Sequence, residues 1–390
     1  MSIKKKIVSA ILAGALCVTT AAAFTGCGDT SYAMTINDEK LNAGVYLLYE
    51  YQAVGEADTK FSEENPDVDT SAEGFDYYAC TIEGKAYDQW IIDRTEELCR
   101  EYAAVNALFD EKGLALTEDE KTELNDSVKS TWDDENPYLQ YYGIDFSTMG
   151  EYYESKGIGK ESYKLVQYAN QKQSKLFDYY FAVGGTEGTT QAEIDSYFAE
   201  NYARATYFKI ALEDGNGDKV ETGEGLQILE DLGNGYVEEL KNGAAFSTVS
   251  KEYDAYVKEQ EKAAAQAQAE EDNTVYVEED DEDTDEEEKS EADYETMFRK
   301  TSTSPSAEFV ENLFSMSNNE PQLYKTEDAY YVVVRLDVSE RTDWLENNTS
   351  TILHSLKDDA MTEILDNAGA GCTVVLNDSA ISLYNPKNLK

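Results

Sequence analysis

The chain has 390 residues, 80 acidic against 32 basic, a formal net charge of −48 at pH 7, one histidine and five cysteines. A field of that sign repels nucleic acid and anionic lipid headgroups, so a nucleic-acid partner is excluded. One histidine leaves no room for histidine-built metal sites or Ser-His triads, and no P-loop, dinucleotide fingerprint, nucleophile elbow or H-E-x-x-H stretch occurs; neither a cofactor nor a metal is expected. With 41% hydrophobic content, two domains with cores of their own are expected.

Lys4, Lys5 and Lys6 precede an apolar run from Ile7 to Phe24, and Phe24-Thr25-Gly26-Cys27 closes it. This is the pattern of a secretory leader over residues 1–26 ending in a lipobox. Cys27 is then the lipidated first residue, and the chain is tethered to the extracytoplasmic face of the cell membrane. No later stretch approaches the roughly 18 apolar residues of a membrane span. Cys80, Cys99 and Cys372 remain, without C-x-x-C spacing, and read as buried thiols; a Cys80–Cys99 bridge is the alternative.

In chain order, Tyr32–Asn37 reads as a strand, Asp38-Glu39 as a turn, and Val45, Leu48 and Tyr49 as one helical face. Residues 58–83 form an acidic loop. Lys85–Lys112 is a long helix of roughly 40 Å stopped by Gly113, and Thr117 with Glu120 makes a capping box for the next. A broken tyrosine-rich stretch, 138–153, precedes a helix over Lys160–Phe181. Gly184-Gly185 is a hinge candidate, and Thr190 with Glu193 caps a helix to Glu200. Residues 204–212 are strand-like, 226–240 and 244–253 helical. Between the first two, Asp214, Asn216 and Asp218 imitate half an EF-hand loop. Lys219 stands at its sixth position and Gly225 at its twelfth, so a polar connection is expected.

Residues 258–292 read as an insert whose first part could extend the preceding helix. Its run from Glu278 to Glu288 holds ten acids in eleven residues, which stays solvated and disordered. A short helix around Phe309, Leu313 and Phe314, a strand to Lys325, and the strand Ala329–Leu336 follow. Trp344–Leu365 is an amphipathic helix, 368–371 break it, and 372–376 read as a strand. His354 is expected on that helix as a surface or packed residue without a role. The class is α+β.

Several of these stretches resemble the parvulin-type peptidyl-prolyl isomerase domain. Phe246-Ser-Thr-Val-Ser is similar to its F-x-x-L-A, Phe309 to Pro321 to its F-x-x-A-x-F-x-L…G-E, and Ala329-Tyr330-Tyr331-Val332-Val333 to its closing G-Y-H-I-I. Lys209 and Tyr331 stand where that family keeps two histidines, and its Gly-Gly-x-Leu-Gly turn is absent. The opening strand, turn and helix, together with Asp195-x-Tyr-Phe-x-Glu-Asn201, resemble PrsA- and SurA-type foldases.

The resemblance implies a mainly helical SurA/trigger-factor-like domain, 27–186 completed by 341–390, around a parvulin-like module, 190–340, carrying the insert 258–292. It implies a lipid-anchored foldase or chaperone whose partners are unfolded or secreted proteins. Phe309 and Phe314 would touch the peptide, and any prolyl isomerase activity would be degenerate. The 29 tyrosines, many in pairs, suit a surface that grips unfolded segments or a half-buried helix face. A solute- or glycan-binding surface lipoprotein is the rival reading, disfavoured because long helices precede one small mixed module.

Overall fold

The computed structural model describes residues 27–213, 217, 219–220, 223–271, 274, 289–384 and 386–388. It divides into two compact units, one comprising the chain up to Thr189 together with His354–Lys390, the other Thr190–Leu353. Among the described residues no helix is long and apolar enough to cross a membrane.

The first unit begins with a helical turn, α1 (Cys27–Thr30), and strand β1 (Tyr32–Ile36). Asn37 and Asp38, at φ 52° and 68°, turn the chain into β2 (Glu39–Asn42). Two successive left-handed residues match the twist of a tight hairpin, and Asn and Asp tolerate that conformation best after glycine. Helix α2 (Ala43–Glu64) buries Val45, Tyr46, Tyr49, Ala53, Ala57 and Phe61 at three- and four-residue spacing. A second hairpin, β3 (Thr81–Ile82) and β4 (Lys85–Ala86), turns through Glu83 and Gly84, again both left-handed. Helix α3 (Tyr87–Glu111) then lays Trp90, Ile91, Leu98 and Cys99 into the same core as α2.

This corrects two expectations. Residues 58–64 continue α2, because Phe61 still lies on its buried stripe, and the helix expected from Lys85 starts at Tyr87, because Lys85 and Ala86 pair with the preceding strand.

Helix α4 (Glu118–Asp133) carries both reciprocal bonds of the Thr117–Glu120 capping box. Two short helices, α5 (Pro137–Tyr141) and α6 (Met149–Ser155), lead to α7 (Lys160–Phe181). Gly159 at the start of α7 has no side chain to cap it, and Asp29 does so from afar: the Ser162 N–H and hydroxyl both donate to its Oδ1, the former at 2.9 Å. A Cβ on Gly159 would lie 2.0 Å from Asp29 Oδ2, so the missing side chain makes room for the cap.

The tail closes this unit. Strand β9 (Val374–Leu376) pairs antiparallel with β1, giving the order β2-β1-β9. Asn37 holds it from the turn: its N–H donates to Thr373 O at 2.9 Å, and its side-chain oxygen accepts from the Thr373 N–H at 2.9 Å. After a last turn, α13 (Asp378–Ile381), Tyr78 Oη donates to Pro386 O at 2.6 Å.

The second unit opens with α8 (Gln191–Asn201), whose Thr190–Glu193 capping box is complete, and β5 (Tyr202–Ala211). Helices α9 (Glu224–Lys241) and α10 (Phe246–Glu271) follow, then β6 (Glu295–Arg299), α11 (Ala307–Ser315), β7 (Gln322–Lys325) and β8 (Ala329–Leu336). The strands form one antiparallel sheet in the order β6-β5-β8-β7. Its two faces alternate by residue, as a pleated sheet requires. Ile210, Leu212, Tyr330 and Val332 pack under α9 and α10, while Ala203, Ala205, Tyr331 and Val333 pack under α11. At Gly233 helix α9 comes so close that a Cβ would lie 2.5 Å from Leu323.

Three expectations about this unit are decided by the structure. Of the two readings of residues 258–271, part of a disordered insert or an extension of the preceding helix, the second holds: they are the second half of α10, because Ala, Glu, Gln and Lys are strong helix formers. The stretch ending the insert is followed by β6, an edge strand that the sequence reading lacked. The boundary expected near 341 falls instead inside the single helix α12 (Thr342–Gly369). The acidic run 278–288 and the residues Asp214, Asn216 and Asp218 lie outside the described residues, as does the leader 1–26.

Candidate functional site

Strand register puts Lys209 of β5 directly opposite Tyr331 of β8, and Tyr324 of β7 directly opposite Tyr331 on its other side. The two positions singled out from the sequence therefore meet as cross-strand neighbours in one row, Tyr324–Tyr331–Lys209. Their environments differ. Lys209 is exposed, while Tyr331 is 5% exposed beneath α11, where Phe309 covers it at 4.7 Å between ring centres.

Burial, with Tyr207 and Asp328 adding to it, raises the Tyr331 phenol above its ordinary value, so the group is a neutral hydrogen-bonding group at neutral pH. Tyr324 Oη donates to Glu308 Oε1 at 3.1 Å and so ties β7 to α11. A phenol and an ammonium here can donate hydrogen bonds, but neither offers the imidazole that can donate from one nitrogen and accept at the other.

Phe309 and Phe314 were expected to touch a peptide. Phe309 is fully buried among Tyr207, Phe298, Tyr324 and Tyr331, with ring centres 4.7 to 6.5 Å away. As placed it is packing of the sheet, not a surface. Phe314 is half-buried, with the Arg335 guanidinium 5.8 Å from its ring centre, and Arg335 Nη1 donates to the Phe314 and Met316 carbonyls at 2.8 Å each. One aromatic of the pair is thus core and the other lies at its margin.

Beside this face, Glu295 at the start of β6 accepts from two arginines. Arg204 Nη2 bonds its Oε1, and Arg341 Nη1 reaches its Oε2 at 2.6 Å. Arg204 also bonds Glu340 at 2.8 Å, and Arg341 bonds Asp343 at 2.6 Å. The network joins β5 and β6 to the segment after β8, and its charges already have partners.

In the first unit, a polar depression lies over α2 and α3. Its charges are likewise matched: Lys60 with Glu83 at 2.7 Å, Lys85 with Asp93 at 2.6 Å, and Arg94 with Glu56 at 2.7 Å and Glu101 at 3.0 Å. Such a surface offers a ligand little that is unmet. Among the described residues no group of three or more His, Cys, Asp or Glu side chains is placed to hold a metal ion.

His354 stacks on Phe177 at 4.1 Å between ring centres, with Nδ1 2.7 Å from Asp358, a helix-surface arrangement. Cys80, Cys99 and Cys372 are all free thiols, with Cys99 buried and the other two half-buried.

Two features escaped sequence reading. Glu50 sits one turn after Tyr46 on the apolar stripe of α2 and is fully buried with neither carboxyl oxygen hydrogen-bonded. An acid at that spacing was the available signal. The other is how strongly Tyr138, Tyr141 and Tyr142 are exposed: the pairing of tyrosines suggests a gripping surface or a half-buried helix face, and only the fold puts these three in water.

No family model matches the chain, and no curated protein matches it. Among solved structures, PrsA from Bacillus subtilis aligns over 80% of this chain and 95% of its own at 14% identity, with a TM-score of 0.26. The foldase protein PrsA from Streptococcus pneumoniae str. Canada MDR_19A aligns over 79% of this chain and 98% of its own at 12% identity, with a TM-score of 0.31. Likeness of that degree sets no residue correspondence, and the chemistry rests on this chain's own geometry.

Proposed function

We propose that the protein is a lipid-anchored, extracytoplasmic foldase-type chaperone in which a parvulin-like module keeps its fold without a working isomerase pocket. The observation that carries the reading is the single antiparallel sheet built from two stretches of chain on either side of a long insert, with Tyr331 at the centre of the row Tyr324–Tyr331–Lys209 covered by Phe309. A prolyl isomerase makes and breaks no covalent bond. It lowers a rotational barrier of about 20 kcal/mol by holding the twisted amide in a dry pocket lined with suitable donors. Here the space above Tyr331 is occupied by a phenylalanine ring, and the exposed partner is a lysine. What remains for function is a helical unit presenting aromatic and acidic side chains, which can shield unfolded segments without chemistry.

The test uses the purified full chain in two assays. Aggregation of a chemically unfolded client is expected to slow, while cis–trans isomerisation of a prolyl peptide stays near its uncatalysed rate. Strong acceleration that is lost in Lys209→Ala with the melting temperature unchanged would make the protein an enzyme. Neither activity, with tight binding of one small solute, would favour a solute-binding lipoprotein. For the anchor, Cys27→Ala is expected to release the protein from membranes or leave its precursor uncleaved; a wild type found wholly in the medium would exclude lipidation.

A further inference from the structure

Residues 134–148 form a tip between α4 and α6 that is ordered from within and aromatic on the outside. Its stem is closed by a bridge between Glu135 and Thr148 and by the Asn136 N–H donating to Ser147 O at 2.9 Å. Asn136 caps α5 by accepting from the Tyr138 N–H at 3.1 Å, and the Ile144 N–H donates to Leu139 O at 2.8 Å. Leu139 points inward and is 5% exposed. A capping box, Thr148 with Glu151, fixes the start of α6. The backbone is therefore held, yet Tyr138, Tyr141 and Tyr142 stand 69%, 81% and 74% exposed, the last two edge to face at 5.3 Å between ring centres. Three neighbouring aromatics left in water on a well-bonded loop form the kind of patch that partners cover.

Charge selects the partner. From Asp133 to Ser155 the chain carries six acids and no lysine or arginine, and Asp134, Glu135 and Asp145 are exposed around the tip. An anionic bilayer is repelled by such a surface, and so is a second copy of a chain whose net charge is −48. A cationic group is attracted twice, by the carboxylates and by the faces of the rings. We infer that the 134–148 tip is a docking surface for extended, basic segments of unfolded polypeptides, with lysine or arginine side chains over Tyr138, Tyr141 and Tyr142. This deepens the chaperone reading and rests on it for its biological sense.

The experiment titrates the full chain with an unstructured peptide repeating Gly-Arg-Gly-Leu, and with the same peptide bearing Glu for Arg, by calorimetry and tyrosine ring NMR shifts. The basic peptide is expected to bind, more weakly as salt rises, and the acidic one not to bind. Replacing all three tyrosines (Tyr138→Ser, Tyr141→Ser, Tyr142→Ser) is expected to weaken binding about tenfold, since three exposed cation–π contacts of modest strength are lost. The triple charge variant Asp134→Asn, Glu135→Gln, Asp145→Asn should weaken it several-fold and flatten the salt dependence.

Unchanged affinity in both variants, or equal binding of the acidic peptide, overturns the inference. So does tyrosine-dependent binding to vesicles of anionic phospholipid without peptide binding, or a concentration-dependent dimer abolished by the tyrosine variant. Tyrosine-dependent peptide binding without any slowing of client aggregation would leave this docking surface standing and remove the chaperone function. Slowed aggregation that the tyrosine variant retains in full would do the reverse.

Discussion

Glu50 in α2 and Glu295 in β6 are both withdrawn from solvent, the first completely and the second with 8% of its side chain exposed. They differ in company. Neither oxygen of Glu50 has a hydrogen-bond partner, and burial pushes its pKa up to about 8. Burial acts on Glu295 in the same direction, but the Arg204 and Arg341 guanidiniums outweigh it and hold the carboxyl below its usual range. Burial therefore sets the cost of the charge, and the partners decide whether the charge is kept. The first unit stores an uncharged acid in its core; the second uses an ionised one to tie its strands to the segment that leaves the sheet.

The comparison makes the two units respond to pH in opposite senses. Glu50 has a folded pKa above its unfolded one, so its neutral form favours folding. That contribution is complete below the ordinary carboxyl range and is lost as pH rises towards about 8. Glu295 has a folded pKa below its unfolded one, so its contribution is present at neutral pH and is lost as pH falls through the depressed value. Hydrogen exchange along the full chain should show α2 amides opening sooner at alkaline pH and β5 and β6 amides sooner at acid pH. The same sense of change in both elements would break the comparison.

The largest effect is expected from Glu295→Gln, which leaves two partly buried guanidiniums short of a carboxylate and should cost about 3 kcal/mol at neutral pH. Denaturant unfolding of the second unit measures it, and the loss should fade in acid, where wild-type Glu295 is itself protonated. Next comes Glu50→Gln, which keeps the shape and removes the titration. It should stabilise the first unit by about 2 kcal/mol near pH 8 and by almost nothing near pH 4. A gain that is equal at both values would mean that Glu50 is not the titrating group. Its ionisation should also be felt by its neighbours, since Tyr46 and Cys99, already raised by burial, are raised further by a charge on Glu50.

The smallest concerns a third acid with another task. Asp29→Ala removes the distant cap of α7 and should cost about 1 kcal/mol, read as faster exchange of the first-turn amides of that helix. Unchanged exchange there would show that the cap contributes nothing beyond what water supplies.

Much of this architecture was legible because it is local. The capping boxes at Thr117 and Thr190, the limits of α7, and strand β8 each rest on residues a few positions apart whose preferences agree. The continuation of α10 through 258–271 was also written in its alanine, glutamate and glutamine content. Strand β6 was not legible, since Glu-Thr-Met-Phe-Arg has only one buried side chain and becomes a strand by pairing with β5. The short β3–β4 hairpin is of the same kind, two residues on each side of a turn.

The candidate site divides the same way. Sequence alone determined the residue types at 209 and 331, and hence that no imidazole stands at either, because chemistry belongs to the side chain wherever it is placed. Which of the two is exposed was decided only by tertiary structure. Tyr331 disappears because α11 brings Phe309 over it, and Lys209, its direct cross-strand partner, does not. Glu50 and the three tip tyrosines follow the same rule: a helical stripe or an aromatic pair has the same local pattern whether or not another element covers it. Coverage depends on which other elements the fold brings over a residue, as α11 brings Phe309 over Tyr331, and no local preference encodes it.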